Sequence, residues 1–333
     1  MILFDARWIG PHGIGRFAIE VMKRLPQVLP VEGKLPPLHP LNPLYLSWLI
    51  QRIKPSVFCT PGFNPPLYSS VPFVFAIHDL NHIQFISNPS VFKRAYYDLI
   101  LKPACRRAFK VLTISEFSRC CIVEWANVPD SKVINVSCGA SSNFCPVGAK
   151  HKENSPYLFY IGNRKSHKNL PRLFDAYASS GVADDIKLLL SGDADDMTTQ
   201  MIRTRNLDGK IVFAGLISDS DLPSYYRGAV SLVFPSLYEG FALPVLEAMA
   251  CGTPVISSDR TAIPEVAGDA CLLVNPENTG EIAEAINKVV NDSNLRNKMG
   301  LLGVEQSKHF SWDKTAAEIR AVLEQACLLG EKL

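Results

Sequence analysis

Two glutamates and a basic loop supply the side chains best suited to hold a charged, oxygen-rich ligand. Glu239 and Glu247 stand eight positions apart in Leu237-Tyr238-Glu239-Gly240-Phe241-Ala242-Leu243-Pro244-Val245-Leu246-Glu247. Carboxylates of this kind accept from hydroxyls. Upstream, Gly162-Asn163-Arg164-Lys165-Ser166-His167-Lys168-Asn169 gathers cations that would pair with phosphate oxygens. The spacing of the glutamates identifies nothing by itself, because Glu116 and Glu124 repeat it in the same chain. Their surroundings must carry the argument.

Those surroundings read as strand, turn and helix. Val230 to Phe234 is an apolar, β-branched run that predicts a buried strand, and Pro244 falls where the first turn of a helix tolerates a missing N–H. Glu239 is then in the strand-to-helix turn and Glu247 about one turn inside the helix, whose free amides favour an anion. Tyr157 to Ile161 is another strand, and the basic loop after it enters a helix from Pro171, a setting that suits a diphosphate. A merely solvated basic loop is the alternative. Further strands are expected at Ile186 to Leu190, at Ile211 to Ala214 before Gly215-Leu216, at Val255 to Ser257 and at Cys271 to Val274. Strands alternating with helix-length segments predict an α/β, doubly wound parallel sheet.

The first half repeats the pattern. Ile2 to Ala6 reads as a strand, and Gly13 and Gly15 open a helix running to Leu25 where backbone could approach a phosphate or a sugar; a structural glycine turn is the other reading. Gly13-x-Gly15-x-x-Ala18 matches a dinucleotide fingerprint, but the loop before it is too long and Glu32 lies in a proline-rich segment, which argues against a nicotinamide or flavin site. Proline density from Pro26 to Pro72 predicts loops and short elements. Within it, Thr60-Pro61-Gly62-Phe63-Asn64-Pro65-Pro66 is a loop at a strand end, either ligand-facing or a rigid surface loop. Val71 to Ile77 is a strand ending in His78, which would point into a ligand crevice or serve structure alone. A helix from roughly Ser90 to Phe109 would carry a basic face, Lys93, Arg94, Lys102, Arg106, Arg107 and Lys110, that is solvated or rests on an anionic membrane. Val111 to Ile114 and Lys132 to Val136 complete the strands, Ser115 caps a helix from Phe117 to Trp125, and the polar run Gly148 to Ser155 reads as the linker.

At 333 residues the chain accommodates two domains, and a net charge of +2 argues against nucleic acid as a partner. Nine cysteines without CxxC spacing read as buried apolar side chains in a reducing compartment, with no zinc site. The start, Ile2-Leu3-Phe4, lacks the basic opening of a signal peptide, and no apolar run reaches the ~18 residues of a membrane span. A cytoplasmic protein, at most peripheral at the inner membrane surface, is expected.

The block Pro235 to Ile256 resembles the signature of glycosyltransferase family four. Pro264-Glu265-Val266-Ala267-Gly268-Asp269-Ala270, Phe310-Ser311-Trp312, Gly13-Ile14-Gly15-Arg16, His78-Asp79-Leu80 and Ile114-Ser115-Glu116-Phe117-Ser118-Arg119 are similar to its other motifs. The resemblance implies the GT-B architecture: two Rossmann-like domains facing across a cleft, with an acceptor-side domain at 1–148, a nucleotide-sugar-binding domain at 149–311 and a helix at 312–333 crossing back. It also implies metal-free transfer with retention, no cofactor, a nucleoside-diphosphate sugar donor, and a saccharide or lipid-linked saccharide acceptor. By resemblance Glu239 contacts the donor sugar, Arg164 and Lys168 hold the diphosphate, and His78 binds the sugar ring. Glu247 takes the ribose, Gly215 and Leu216 lie against the base, and Gly13 and Gly15 approach the phosphates. Gly162, Asn163, Gly240, Phe241, Ala242 and Leu243 complete the donor-binding set. The block is most similar to bacterial mannosyltransferases of surface-polysaccharide assembly, implying GDP-mannose; a UDP-sugar enzyme and an inactive nucleotide-sugar-binding scaffold are the alternatives. Ala242 replaces a usual glycine, His167-Lys168 a usual Arg-Lys pair, and Ser137-Cys138-Gly139-Ala140-Ser141 the usual Asn-Gly-Val-Asp hinge.

Overall fold

The computed structural model describes residues 1–33, 35–85 and 91–330. They form two compact units: Met1–Gly139 with the chain from Ser311 onward, and Ala140–Phe310. The first contains β1 (Ile2–Phe4), β2 (Val28–Pro30), β3 (Val57–Thr60), β4 (Phe73–Ala76), β5 (Lys110–Thr113) and β6 (Val133–Asn135). They lie in the order β2-β1-β3-β4-β5-β6, every neighbouring pair parallel. The central strands β3 and β4 are buried at every residue, as continuous apolar runs in a sheet covered on both faces must be. Leu3, Phe58, Phe75, Leu101 and Val111 belong to its core.

The second unit contains β7 (Tyr157–Tyr160), β8 (Lys187–Leu190), β9 (Ile211–Phe213), β10 (Ser231–Phe234), β11 (Val255–Ser258) and β12 (Leu272–Val274). Their order is β12-β11-β10-β7-β8-β9, again all parallel. The chain runs outward from β7 through β8 to β9, returns past β7 to β10, and continues outward on the other side. The order therefore reverses between β7 and β10, the kind of switch point at whose carboxyl ends open parallel sheets bind their ligands.

Four expectations need correction. The proline-rich segment holds a twelve-residue helix, Asn42–Ile53, because Pro43 sits in its first turn, where a missing N–H costs nothing. The Thr60–Pro66 loop is not at the surface: Pro61, Gly62, Asn64, Pro65 and Pro66 are buried, and Asn64 bonds the Pro37 carbonyl and the Tyr96 hydroxyl. The expected helix from Ser90, whose first residue lies outside the described ones, is interrupted. Val91–Tyr96 and Lys102–Arg107 flank a π-helical turn, Tyr97–Leu101, whose wider spacing accommodates Pro103 and its missing donor. Among the cysteines, Cys59, Cys105, Cys138 and Cys251 are buried as expected, but Cys120 is exposed.

The division between units also lies earlier than the polar run Gly148 to Ser155. Phe144 packs edge-on against Tyr226 at 6.0 Å, and Arg227 donates to the carbonyls of Cys145 and Ala149 at 3.1 and 2.8 Å. These contacts draw the linker residues into the second unit. The last described helix, Trp312–Gly330, packs in the first unit, with Arg24 pairing Asp313 at 2.6 Å and Trp312 meeting Phe17 at 6.2 Å between ring centroids. Residues 331–333 of the expected terminal segment lie outside the described ones.

Candidate active site

In the second unit the loops after β7 and β10 meet at the point of reversal. β10 is wholly buried, so Pro235–Ala242 must emerge at its carboxyl end, and the helix Leu243–Ala250 follows with Pro244 in its first turn. After β7, Gly162 to Lys165 lead into a single 3-10 turn, Ser166–Lys168, and then into the helix Leu170–Ser179. Lys168 Nζ donates to Glu239 Oε1 at 2.6 Å; their side chains are only 11% and 12% exposed. The ammonium also lies 4.8 Å from the centre of the Phe234 ring. A carboxylate and a cation thus neutralise each other in largely buried surroundings, an arrangement able to exchange partners with a ligand carrying hydroxyls and negative charge.

Gly162 is needed where it stands. Its φ is +151°, and a Cβ would lie 3.1 Å from the Tyr160 hydroxyl and 3.7 Å from Lys168 Cε. Burial pushes the Tyr160 phenol up, and the nearby Glu239 charge adds to this; the hydroxyl stays protonated and donates to the Asn163 carbonyl at 3.1 Å. Arg164 is anchored: it donates to the carbonyls of Ser191 at 2.7 Å and Gly162 at 3.3 Å, and approaches Asp195 at 3.7 Å. Asp195 is held below the usual carboxylate range, first by the Thr198 hydroxyl and then by Thr198 N–H and Arg164. Gly192 N–H bonds the Gly215 carbonyl at 2.8 Å, bringing the ends of β8 and β9 beside Arg164, while Leu216 is 89% exposed.

Glu247 lies one turn into its helix but is 3% exposed, and its Oε2 accepts from the Tyr226 hydroxyl at 3.0 Å. Gly240, Phe241 and Ala242 are buried, Phe241 edge-on to Phe310 at 5.6 Å; Leu243 is partly exposed. Ala242 is the helix N-cap at φ 76°, ψ 57°, a left-handed conformation that a Cβ disfavours.

Three residues here escaped the sequence reading. Asn169, at φ 61°, donates from its amide to the carbonyls of Pro235 at 3.0 Å and Pro276 at 2.7 Å, tying the loops after β7, β10 and β12. Asn between a loop and a helix, a residue that tolerates the left-handed region, was its one signal. Thr261 accepts from the Glu239 N–H at 3.1 Å, and Tyr226 bonds Glu247. Neither has a local signature.

Within the first unit, the helix Gly13–Arg24 begins nine residues after β1 ends and is capped by His12, whose Nδ1 accepts from Gly15 N–H at 2.9 Å. A Cβ on Gly15 would fall 2.1 Å from the Gly10 carbonyl oxygen, so this glycine permits the loop to fold over the helix. Gly13 has open space around its Cβ position. His78 is buried at the end of β4, its Nε2 2.9 Å from the Pro61 carbonyl and its ring edge-on to Phe17 at 4.9 Å. Burial pushes its pKa down against the opposing pull of that carbonyl and of Asp79. His78 thus packs on Phe17 of the helix that Gly13 and Gly15 open.

Residues 146–303 match the family model described as glycosyl transferases group 1, and residues 4–143 the model described as glycosyltransferase family 4. The chain is 30% identical to O-antigen chain mannosyltransferase B of Escherichia coli over 84% of its own length and 76% of the relative's. The chain belongs to glycosyltransferase family four. This glycosyltransferase is also 29% identical to O-antigen chain mannosyltransferase RfbU of Salmonella typhimurium, over 80% of its length and 75% of the relative's. HepE from Anabaena, solved with UDP-glucose, superposes at a TM-score of 0.78 with 17% identity, covering 97% of the glycosyltransferase and 99% of HepE. Its two parallel six-stranded sheets are thus those of the GT-B fold.

Proposed function

We propose that the enzyme transfers mannose from GDP-mannose, with retention, to a saccharide or lipid-linked saccharide during surface-polysaccharide assembly. The Lys168–Glu239 pair at the reversal point between β7 and β10 is the observation that carries this reading. The names of the two enterobacterial relatives support the sugar and the setting.

In this reading the second unit holds the nucleotide sugar and the first binds the acceptor. Lys168 exchanges Glu239 for the diphosphate, and Arg164, already oriented by two carbonyls, adds charge as the leaving group departs. Glu239 then accepts from sugar hydroxyls, and the amides of Gly240 to Leu243 supply donors at the helix start. Gly162 and Asn163 shape the phosphate loop. Glu247, positioned by Tyr226, takes the ribose, and Gly215 with exposed Leu216 lies against the base. Gly13, Gly15 and His78 are the ligand-binding contributions of the first unit. An acceptor hydroxyl attacks the anomeric carbon on the face the phosphate leaves; the C–O electron pair goes to GDP, and the hydroxyl proton goes to the departing phosphate oxygen. Field stabilisation of that oxygen by Lys168 is worth several kcal/mol in such sites.

The chain works in the cytoplasm in this reading, with exposed Lys93, Arg94, Arg106 and Arg107 available to an anionic membrane face. Among the described residues no helix is long and apolar enough to cross a membrane. Calorimetric titration with GDP-mannose, UDP-glucose and ADP-glucose tests the donor: GDP-mannose should bind tightest, and Lys168→Ala should weaken it. Binding of UDP-glucose alone would replace the donor, and tight binding with no transfer to any mannosyl acceptor would leave a scaffold.

A further inference from the structure

We propose that Thr261 is a positioning residue for Glu239, setting the place of that carboxylate from a neighbouring loop. The proposal rests on the reading of Glu239 as the donor-contacting carboxylate. Glu239 is held at both ends: its side chain by Lys168 at 2.6 Å and its backbone N–H by Thr261 Oγ1 at 3.1 Å. The Thr261 hydroxyl has one proton, which it donates to the Arg260 carbonyl at 2.8 Å. Its oxygen is therefore turned toward Glu239 as an acceptor only.

The backbone shows what this contact demands. Thr261 has φ 59°, a region that β-branched residues rarely enter and that glycine occupies freely. Glycine would suit the backbone and lose the hydroxyl. Threonine supplies the hydroxyl at the expense of the backbone.

The loop bearing Thr261 is itself anchored. Arg260 pairs with Asp259 at 3.1 Å and Glu277 at 3.8 Å and donates to Asn275 Oδ1 at 3.3 Å, while Asp259 N–H bonds the Val274 carbonyl at 2.9 Å. Next to Glu277, the Pro276 carbonyl accepts from Asn169 at 2.7 Å, and Asn169 adjoins Lys168. The contacts close a ring: Lys168, Glu239, Thr261, Arg260, the Asn275–Glu277 segment, Asn169 and back to Lys168. It spans the carboxyl ends of β7, β10, β11 and β12. The ring holds Lys168 and Glu239 in their paired geometry, and among the described residues Thr261 is its contact to the backbone of Glu239.

The test compares Thr261→Val, Thr261→Ser, Thr261→Gly, Glu239→Gln and the Glu239→Gln/Thr261→Val double variant. GDP release from GDP-mannose and amide exchange at residue 239 are both measured. Thr261→Val, which keeps the shape and loses the hydroxyl, should lower kcat between about tenfold and a hundredfold, as a misplacement of about 1 Å in a reacting group can. Donor KM should stay within about twofold, since a displaced carboxylate affects the transition state more than binding. Amide exchange at Glu239 should speed up in the same variant, and Thr261→Ser should restore both. Thr261→Gly should be as slow as Thr261→Val while melting no lower than the wild type, a combination that a purely structural role does not produce. The double variant should be no slower than Glu239→Gln, because Thr261 acts through that residue. Wild-type kcat in Thr261→Val alongside an inactive Glu239→Gln would overturn the proposal. A fully active Glu239→Gln would instead overturn the assignment of Glu239 on which it rests.

Discussion

Lys168 and Glu239 form a pair in which each charge compensates the other, so removing either leaves a largely buried charge without its partner. Lys168→Ala should therefore reduce kcat by about 10²–10³, the range seen when one stabilising donor is removed from a developing anion, with the far-ultraviolet dichroism of the wild type retained. An active Lys168→Ala enzyme would show that the cation is not used in transfer. Ala242 calls for the opposite experiment. Its left-handed φ of 76° strains an L-residue by about 1–2 kcal/mol, whereas glycine in the unfolded chain costs about 0.4–1 kcal/mol. Ala242→Gly should thus stabilise the protein by about 0.8 kcal/mol, the middle of a range from about 0 to 1.6, read as a raised urea midpoint at unchanged slope. The glutamates and cations were legible because each lies in a run whose strand, turn and helix are encoded locally. Thr261 and Tyr226 were not, since their partners are 22 and 21 residues away in sequence and meet them only through the fold.

At the level of elements, the helix Gly13–Arg24 and the end of β4 make a small unit around His78. Gly15→Ala would place a methyl group on the Gly10 carbonyl, an overpacking that should cost about 1–3 kcal/mol in chemical denaturation. An unchanged midpoint would mean that the loop before the helix yields freely. His78 ties this region to pH. Burial holds its pKa below the ordinary 6.5, so the native imidazole stays neutral where the unfolded one takes a proton. The unfolded state then binds more protons, and stability is complete above pH 6.5 and falls as the pH drops toward the folded pKa. His78→Gln should flatten the stability curve on the acid side of neutrality. A slope between pH 7 and 5 identical to wild type, to within about 0.3 kcal/mol, would place the titrating group elsewhere. Most elements were legible from apolar runs and from punctuation by proline, glycine and serine; Ser115, for instance, caps its helix by accepting from Ser118 N–H. The proline-rich stretch misled because proline density was read without position: Pro43 begins a helix that a proline in its middle would have broken.

For the whole molecule, the assignment of the chain's last helix decides how each unit is completed. Trp312 is fully buried against Phe17, and a Cβ on Gly139 would lie 2.2 Å from the Trp312 backbone nitrogen. Trp312→Ala should cost about 3–5 kcal/mol, and hydrogen exchange should report it in β1 and β3 while β7 and β10 keep their protection. Uniform loss across both sheets would contradict the division at Gly139 and Ser311. The sequence by itself determined the class of fold, the strand-turn-helix setting of Glu239 and the family, because alternating apolar runs and a contiguous signature block are local properties of the chain. Tertiary structure decided strand order, and with it which loops meet. Parallel strands draw their neighbours from across the sequence, so no local pattern could bring Lys168, Glu239, Thr261 and Asn169 together. Only the reversal between β7 and β10, with β11 and β12 stacked beyond it, closes that ring.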